Sequence, residues 1–325
     1  MQKGQFNQVR FKDGSFKLVK QDFINKLEQN EVLVKVHYTS VNQYDKILME
    51  NRSKEDYVMG AEGSGIIEDV AQGLDQNLKG RKVAFIHHGW SQYVVKDQDD
   101  LLFLDESVDL RIAADAIVNP MTALCLRKIC CDLKANAVVI DSASTSLGRM
   151  LIQLFQKDNI DIIPLAMDSK QFDQLRTEFG LARIMDQSKK EFFDLLCGAA
   201  EKFEKIVYIS MQGGDLPGKI LDRLPAKSEM ILIGNLAEKD LVVPCSNFYY
   251  DSKKIRGFFF DRYLREELDD ETEHKFFHII AQDLKNGGMI FGTKVAKEMK
   301  LEEWDQALNQ ISDKSQEGKI ILQCQ

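Results

Sequence analysis

The residues of this sequence whose types and spacing best suit the binding of a charged ligand form a run of small and hydroxyl-bearing side chains, Ser142–Gly148 (SASTSLG). It follows an apolar run, Ala137–Ile140, whose β-branched content predicts a strand buried on both faces. The apolar residues after it recur with the period of an amphipathic helix: Leu147, Met150, Leu151, Leu154 and Phe155. A strand, a tight turn and a helix direct backbone N–H groups and the positive end of the helix dipole toward one point. The sequence therefore predicts an anion-binding turn.

This turn departs from the G-x-G-x-x-G sequence that holds the diphosphate of a dinucleotide. Gly148 is present where helix and strand approach closely, but Ser142 and Ser146 occupy the earlier glycine positions. A serine hydroxyl can cap the helix or donate to a phosphate oxygen, whereas its Cβ takes up space beside the diphosphate. Two interpretations stay open: a nucleotide site, and a buried strand–turn–helix without a ligand.

The composition excludes several classes of function. The chain has 325 residues, enough for about two domains, and a net charge of −8 that argues against a nucleic-acid partner. It has no run of 18 apolar residues, so we expect no membrane insertion. The N-terminal segment lacks an apolar signal and is poor in Arg and Ser for an organelle presequence. We expect an intracellular protein, cytoplasmic or mitochondrial, acting on a small molecule.

The first third of the chain is predicted to be a compact, partly barrel-like β-domain. Phe6–Phe11 and Ser15–Val19 flank a turn at Asp13-Gly14, which is typical of a hairpin, and Glu31–Tyr38 alternates like a strand. Residues 40–45 read as a polar loop that leads to an apolar turn at residues 47–49.

Apolar runs then alternate with helical patterns, which predicts a parallel, doubly wound sheet. We assign the dinucleotide-binding domain to residues 118–263 and the β-rich domain to residues 1–117 together with 264–325. The predicted strands of the first of these are Ala137–Ile140, Ile160–Leu165, Ile206–Ile209, Met230–Ile233 and Ile255–Phe260. Two helices are predicted at Arg111–Ile117 and Thr122–Leu133, and Asn119-Pro120 is expected to separate them. Two more helices are predicted at Arg265–Asn286 and Leu301–Ile311. Further strands are predicted at Gly287–Thr293 and Lys319–Leu322.

Five motifs in this order resemble the medium-chain dehydrogenase/reductase superfamily, and within it the zinc-free quinone oxidoreductase and enoyl reductase branch. They are Ser40–Asp45 (SVNQYD), Gly60–Gly65 (GAEGSG), Gly80–Val83 (GRKV), Asn119–Ala123 (NPMTA) and Glu317–Lys319 (EGK). The resemblance implies an α/β protein with a GroES-like β-rich catalytic domain and a Rossmann domain. It also implies an oxidoreductase without zinc, because Asp45 and Ala61 stand where zinc-dependent members place Cys and His.

The resemblance also implies a cofactor site. It assigns the phosphate turn to Ser144, Thr145, Ser146, Leu147 and Gly148, and a hydroxyl near the nicotinamide carboxamide to Thr122. Asp168 has the spacing of a ribose-binding acid, although capping of the next helix is an open alternative, and Lys170 could instead neutralise a 2′-phosphate. Gly234 and Asn235, with Phe258–Phe260, end later strands on the nicotinamide side. We expect NADP, with NAD open.

The same resemblance offers candidates for the proton donor of the reaction: Tyr44, Asn42 and Asp45. The tyrosine that enoyl reductases carry a few residues later is absent, because that region reads Glu50-Asn51-Arg52, and Gln43 replaces the motif's proline. A packing or surface role for Tyr44 therefore stays open.

Two functions remain. The first is an NAD(P)H-dependent quinone or enoyl reductase. The second is a catalytically degenerate relative that serves as an accessory subunit of a larger, respiratory-type mitochondrial assembly. Either could form a homo- or heterodimer through an edge at Ile255–Phe260, unless that segment is a central buried strand.

Overall fold

The computed structural model describes residues 4–23, 26–51, 56–181, 183–311 and 318–325. Its contacts divide the chain into two compact units: Met1–Met121 with His274–Gln325, and Thr122–Glu273. The sequence-based boundaries lay after residues 117 and 263.

The strands are β1 (Gln5–Lys12), β2 (Ser15–Asp22), β3 (Glu31–Ser40), β4 (Glu62–Val70), β5 (Lys82–Ile86), β6 (Tyr93–Asp97), β7 (Leu102–Phe103), β8 (Ala137–Ile140), β9 (Asp161–Ala166), β10 (Met185–Asp186), β11 (Ile206–Ser210), β12 (Glu229–Leu232), β13 (Lys254–Gly257), β14 (Val295–Lys300) and β15 (Lys319–Gln323). The α-helices are α1 (Gln43–Asn51), α2 (Leu110–Ala113), α3 (Val118–Asp132), α4 (Ser146–Lys157), α5 (Ser169–Phe179), α6 (Phe192–Ala200), α7 (Leu216–Arg223), α8 (Ser246–Tyr249), α9 (Phe260–Glu266), α10 (Asp270–Lys285) and α11 (Trp304–Gln310).

The first unit is built on a mostly antiparallel sheet in the order β14-β15-β3-β4-β5-β7, with β6 also paired to β3. Alternate residues of β3, Val32, Val34 and Val36, are fully buried, as the two-residue period of a half-buried strand requires. The predicted hairpin is confirmed: β1 and β2 pair antiparallel across the turn at residues 13–14.

The second unit is an all-parallel six-stranded sheet in the order β10-β9-β8-β11-β12-β13. All four residues of β8 are buried, which explains why its sequence is continuously apolar. Strand order reverses between β8 and β11, since β9 and β10 lie on one side of β8 while β11 to β13 lie on the other. Such a reversal opens a crevice at the carboxyl ends of the strands. The predicted fold class is confirmed.

Five predictions of local structure are corrected by the structure. Residues 287–293 form a turn, not a strand, because the Asp283 carboxylate accepts the N–H groups of Ile290 and Phe291, and Gly287 and Gly288 have positive φ. The single helix predicted over residues 265–286 is two helices, since Asp269 accepts the N–H of Thr272 and starts α10 anew.

The other three corrections concern residues near the boundaries between the two units. The strand predicted at residues 255–260 stops at Gly257, and Phe260 begins α9. Asn119-Pro120 does not split a helix, because Pro120 lies in the first turn of α3, where a backbone N–H has no acceptor in the helix. The helix predicted at residues 111–117 is the single turn α2. No helix in the described ranges is both long and apolar enough to cross a membrane.

Candidate active site

The carboxyl ends of β8, β9 and β12 bring most of the predicted cofactor residues to one edge of the second unit's sheet. The turn before α4 follows β8, Asp168 and Lys170 follow β9, and Gly234 and Asn235 follow β12. Thr122 is different: it lies on α3 and is 93% buried, not at a strand end. Asn42 and Tyr44 belong to the first unit.

Thr145, not a serine, closes the turn between β8 and α4. It is the N-cap of α4, its Oγ1 accepts the N–H of Gly148 at 3.1 Å, and it donates to the carbonyl of Ser142 at 2.9 Å. Ser142 itself has a positive φ of 49°, which reverses the chain immediately after β8. The hydrogen bonds of Thr145 and the positive φ of Ser142 therefore hold the conformation of this turn without glycines at the first two positions of the motif.

Gly148 lies where sequence analysis expected a close approach of helix and turn. A Cβ at this position would lie 2.6 Å from the carbonyl oxygen and 2.7 Å from the Cα of Ala143. Both are backbone atoms, so no flexible side chain could move away. Glycine is required here for α4 to seat against the turn.

Two backbone donors remain at the start of α4. Within the described ranges, no hydrogen bond is formed by the N–H groups of Ser146 and Leu147, because these first-turn groups have no acceptor inside the helix. Residues 144–147 are partly exposed. The positive end of the helix dipole and two available N–H groups together form a site that suits a phosphate group.

Asp168 and Lys170 occupy the exposed end of β9 and the first turn of α5. Oδ1 of Asp168 accepts the N–H of Gln171 at 2.9 Å, so this carboxylate caps α5, as one of the two interpretations predicted. Lys170 is exposed.

A buried acid that sequence analysis missed lies directly after β8, where the strand order reverses. Asp141 is fully buried, and its carboxylate accepts the hydroxyls of Tyr208 and Ser210 and the N–H of Met211, each at 2.7 Å. Burial raises the pKa of Asp141, and these hydrogen bonds oppose that shift. Asp141 thus ties the end of β8 to the end of β11, the two strands that flank the reversal of strand order. Its position directly after a buried strand was the available signal.

In the first unit, the predicted catalytic residue Asn42 is held at both ends of its amide. Nδ2 donates to Ser40 Oγ at 2.8 Å and to Glu62 Oε1 at 2.9 Å, while Oδ1 accepts from the ammonium of Lys319. Lys319 also pairs with the buried carboxylate of Asp115 at 2.9 Å. The motif that begins at Ser40 is therefore part of a buried polar network and not a solvated loop.

Asp45 has a structural role in the same network. Its two oxygens accept the N–H groups of Asn42 at 2.7 Å and Ala61 at 2.8 Å, and burial raises its pKa to about 7. Glu62 accepts the N–H groups of Ile117 and Val118, and burial raises its pKa to about 8.

Tyr44 lies in the first turn of α1 with a half-buried side chain. Arg52 and Glu317 of the quoted motifs lie outside the described residues. Among the residues that the structure describes, no group of three or more His, Cys, Asp or Glu side chains could hold a metal ion.

Comparison with known proteins agrees with this architecture. The model of the alcohol dehydrogenase GroES-like domain matches residues 28–108. The chain is 24% identical to a mitochondrial enoyl-[acyl-carrier-protein] reductase of Arabidopsis thaliana, over 73% of this chain and 66% of that protein. It is 21% identical to an NADPH quinone oxidoreductase of Kluyveromyces marxianus, over 86% of this chain and 74% of that one.

Among solved structures, a mutant enoyl thioester reductase from Candida tropicalis matches with a TM-score of 0.81 at 17% identity, covering 98% of this chain and 99% of that chain. At that identity the likeness shows the fold alone. The GroES-like match over residues 28–108, the quinone and enoyl reductase relatives and the parallel sheet of the second unit together make the chain similar to the medium-chain dehydrogenase/reductase superfamily, in its quinone oxidoreductase and enoyl reductase-like branch.

Proposed function

We propose that this protein is a zinc-independent oxidoreductase that transfers hydride between a nicotinamide dinucleotide and a small quinone, enone or enoyl substrate. One observation carries the proposal: the available N–H groups of Ser146 and Leu147 lie at the reversal of strand order, where such a fold binds a diphosphate. The names of the enoyl reductase and quinone oxidoreductase relatives support the reaction class.

The residues of this chain supply binding and orientation in the proposed reaction. The N–H groups at the start of α4 hold the diphosphate, Thr145 keeps the turn in the receptive conformation, and Gly148 lets the helix approach. A bound nicotinamide would supply the hydride chemistry itself. The protein then needs to fix the cofactor against its substrate and restrict its motion.

NADP is the proposed form of the cofactor, and Lys170 is the residue that favours it. Its ammonium stands in the first exposed turn of α5, next to the end of β9, where the adenosine ribose lies in this fold. Replacing Lys170 by Ala should weaken NADPH binding about 3- to 10-fold and leave NADH binding unchanged, as expected for one exposed charge contact. Equal effects on both nucleotides would remove Lys170 from this role.

The absence of zinc from the mechanism is likewise a proposal. It is supported by Asp45, both of whose oxygens already accept backbone N–H groups, and by Ala61, which offers no ligand atom. Turnover that survives dialysis against 1,10-phenanthroline, with less than one zinc per chain by elemental analysis, is the expected result.

A second function is favoured by a specific observation on Asn42. Its amide already makes bonds at both ends, so one candidate proton donor is committed to the fold. A reductase-fold accessory subunit of a larger assembly, without turnover, would need no donor. The mitochondrial names of several relatives support that compartment for either function.

We also propose that the protein forms a homodimer or a heterodimer, in which the second chain docks on β13. This strand ends the described sheet, and its residues are half-buried or exposed, as an edge strand's are. Light scattering should give at least twice the mass of the chain. The substitution Ile255→Pro should reduce the measured mass to that of a single chain.

One titration separates the two functions. Purified protein is titrated with NADPH and NADH, nicotinamide fluorescence is followed, and a quinone and an enoyl thioester are then added. Binding near micromolar, about −8 kcal/mol, followed by oxidation of the nucleotide supports the reductase. Failure to bind either nucleotide, together with co-purification of fixed partner proteins, supports the accessory subunit.

A further inference from the structure

The loop after β11, residues 211–214, is held at three points. The N–H of Met211 donates to the Asp141 carboxylate at 2.7 Å, and the carbonyl of Met211 accepts the N–H of Leu236 at 3.1 Å. The N–H of Gly214 donates to the carbonyl of Lys239 at 3.0 Å. A side chain on this loop is therefore placed by a rigid backbone.

Gln212 is carried by this loop, and its amide is incompletely bonded. The residue is 92% buried, and its Nε2 is shielded from solvent and has no hydrogen-bond partner within the described ranges. Leaving such a donor unpaired costs about 1–3 kcal/mol. An unpaired buried donor in a loop whose backbone is hydrogen-bonded needs a specific explanation, and one explanation is that a ligand normally accepts its hydrogen bond.

The position of Gln212 indicates which part of a ligand would satisfy it. The loop follows β11, on the far side of the strand-order reversal from β9, whose end carries Asp168. In a doubly wound sheet, the adenosine half of a dinucleotide extends over the second strand, which is β9 here, and the other nucleoside extends the opposite way. Gln212 is therefore on the side of the nucleoside that bears the nicotinamide.

We propose that Gln212 is a specificity-determining residue whose Nε2 donates to an oxygen of the nicotinamide nucleoside, a ribose hydroxyl or the carboxamide carbonyl. This inference rests on the proposed function. Gln212 keeps 8% of its surface exposed, and a change in its own side-chain torsions would be needed to bring Nε2 to the ligand. Asp141 is a positioning residue for it, acting through Met211.

The test compares Gln212→Met, which keeps length and removes the donor, with Gln187→Met as a matched control. Gln187 follows β10, at the same edge but on the adenosine side, and its Nε2 is likewise without a partner among the described residues. Calorimetry measures binding of NADPH and of 2′,5′-ADP, a fragment without the nicotinamide nucleoside. Thermal unfolding of each variant is recorded without ligand.

Gln212→Met should weaken NADPH binding about 3- to 10-fold, the value of one hydrogen bond, and leave 2′,5′-ADP binding unchanged. Its melting temperature should be no lower than that of the wild type, because an unpaired donor has been removed. Gln187→Met should leave the ratio of the two affinities as it is in the wild type. A purely structural glutamine would give the opposite pattern for Gln212→Met, with lower stability and both ligands affected alike.

The outcomes distinguish this inference from the function on which it rests. If the wild type binds NADPH and Gln212→Met binds it equally well, the role of Gln212 is wrong and the reductase proposal stands. If the wild type binds none of NADPH, NADH and 2′,5′-ADP, the proposed function fails and the inference fails with it.

Discussion

Replacing Gly148 by Ala tests the close contact on which the proposed diphosphate site depends. The added Cβ would lie 2.6 Å from the Ala143 carbonyl oxygen, so α4 must retreat by about 0.8 Å to reach the 3.4 Å of ordinary packing. Overpacking of this kind costs about 1–3 kcal/mol, and the gain in helix propensity returns about 1 kcal/mol. We expect a net loss of up to about 2 kcal/mol and at least tenfold weaker NADPH binding, since the N–H groups of Ser146 and Leu147 move with the helix.

Gly198→Ala is the matched control, because Gly198 lies within α6 of the same unit and a Cβ there meets nothing within 4 Å. It should stabilise the protein by about 0.5–1 kcal/mol. Both tryptophans, Trp90 and Trp304, lie in the first unit, so unfolding is followed by circular dichroism and by hydrogen exchange of peptides from residues 122–273. Equal stability and equal nucleotide affinity in the two alanine variants would refute the reasoning.

The buried polar network of the first unit gives two more measurable effects. Lys319→Met should lower the unfolding free energy by about 3–5 kcal/mol, because it leaves the 1%-exposed carboxylate of Asp115 unpaired, whereas Lys285→Met breaks an exposed pair and should lose less than about 1 kcal/mol. Similar losses in urea titrations would contradict this difference. Asp45 and Glu62, with pKa values raised to about 7 and about 8, keep protons that the unfolded chain releases above about pH 4, so the stability that they contribute is complete below about pH 4 and should fall as the pH rises toward 8. The slope is on the order of 1 kcal/mol per pH unit for each group, and urea midpoints that rise from pH 5 to pH 8 would contradict it.

Features decided within a few neighbouring residues could be predicted from the sequence. The hairpin of β1 and β2 follows from its turn residues and from the alternation of apolar and polar residues on either side of the turn. The strand β8 and the helix α4 follow from the sequence pattern, which changes from a continuous apolar run to apolar residues that recur every 3.6 positions. The importance of Gly148 was also visible locally, because the strand–turn–helix unit has only one place where helix and turn must touch.

Features decided by distant partners could not be predicted. Residues 40–45 look like a polar loop, but Asp45 is buried because its acceptors are satisfied by Asn42 and by Ala61, sixteen residues away. Gln212 and Asp141 carry no motif, and their roles depend on which strands the sheet places side by side. The false strand at residues 287–293 arose because the carboxylate of Asp283, not a neighbouring strand, takes up the N–H groups of that apolar run.

The insertion of β15 between β14 and β3 bears on the order in which the polypeptide acquires its structure during synthesis. The second unit is one continuous stretch, Thr122–Glu273, and it has been fully translated before synthesis of the first unit's return segment begins. The first unit must wait for Lys319–Gln323, and until then residues 38–40 of β3 lack the neighbours that Ile321 to Gln323 provide. A nascent chain held in that state exposes an open sheet edge for the time needed to translate about 200 further residues, so its folding in the cell should depend on chaperones that shelter such edges.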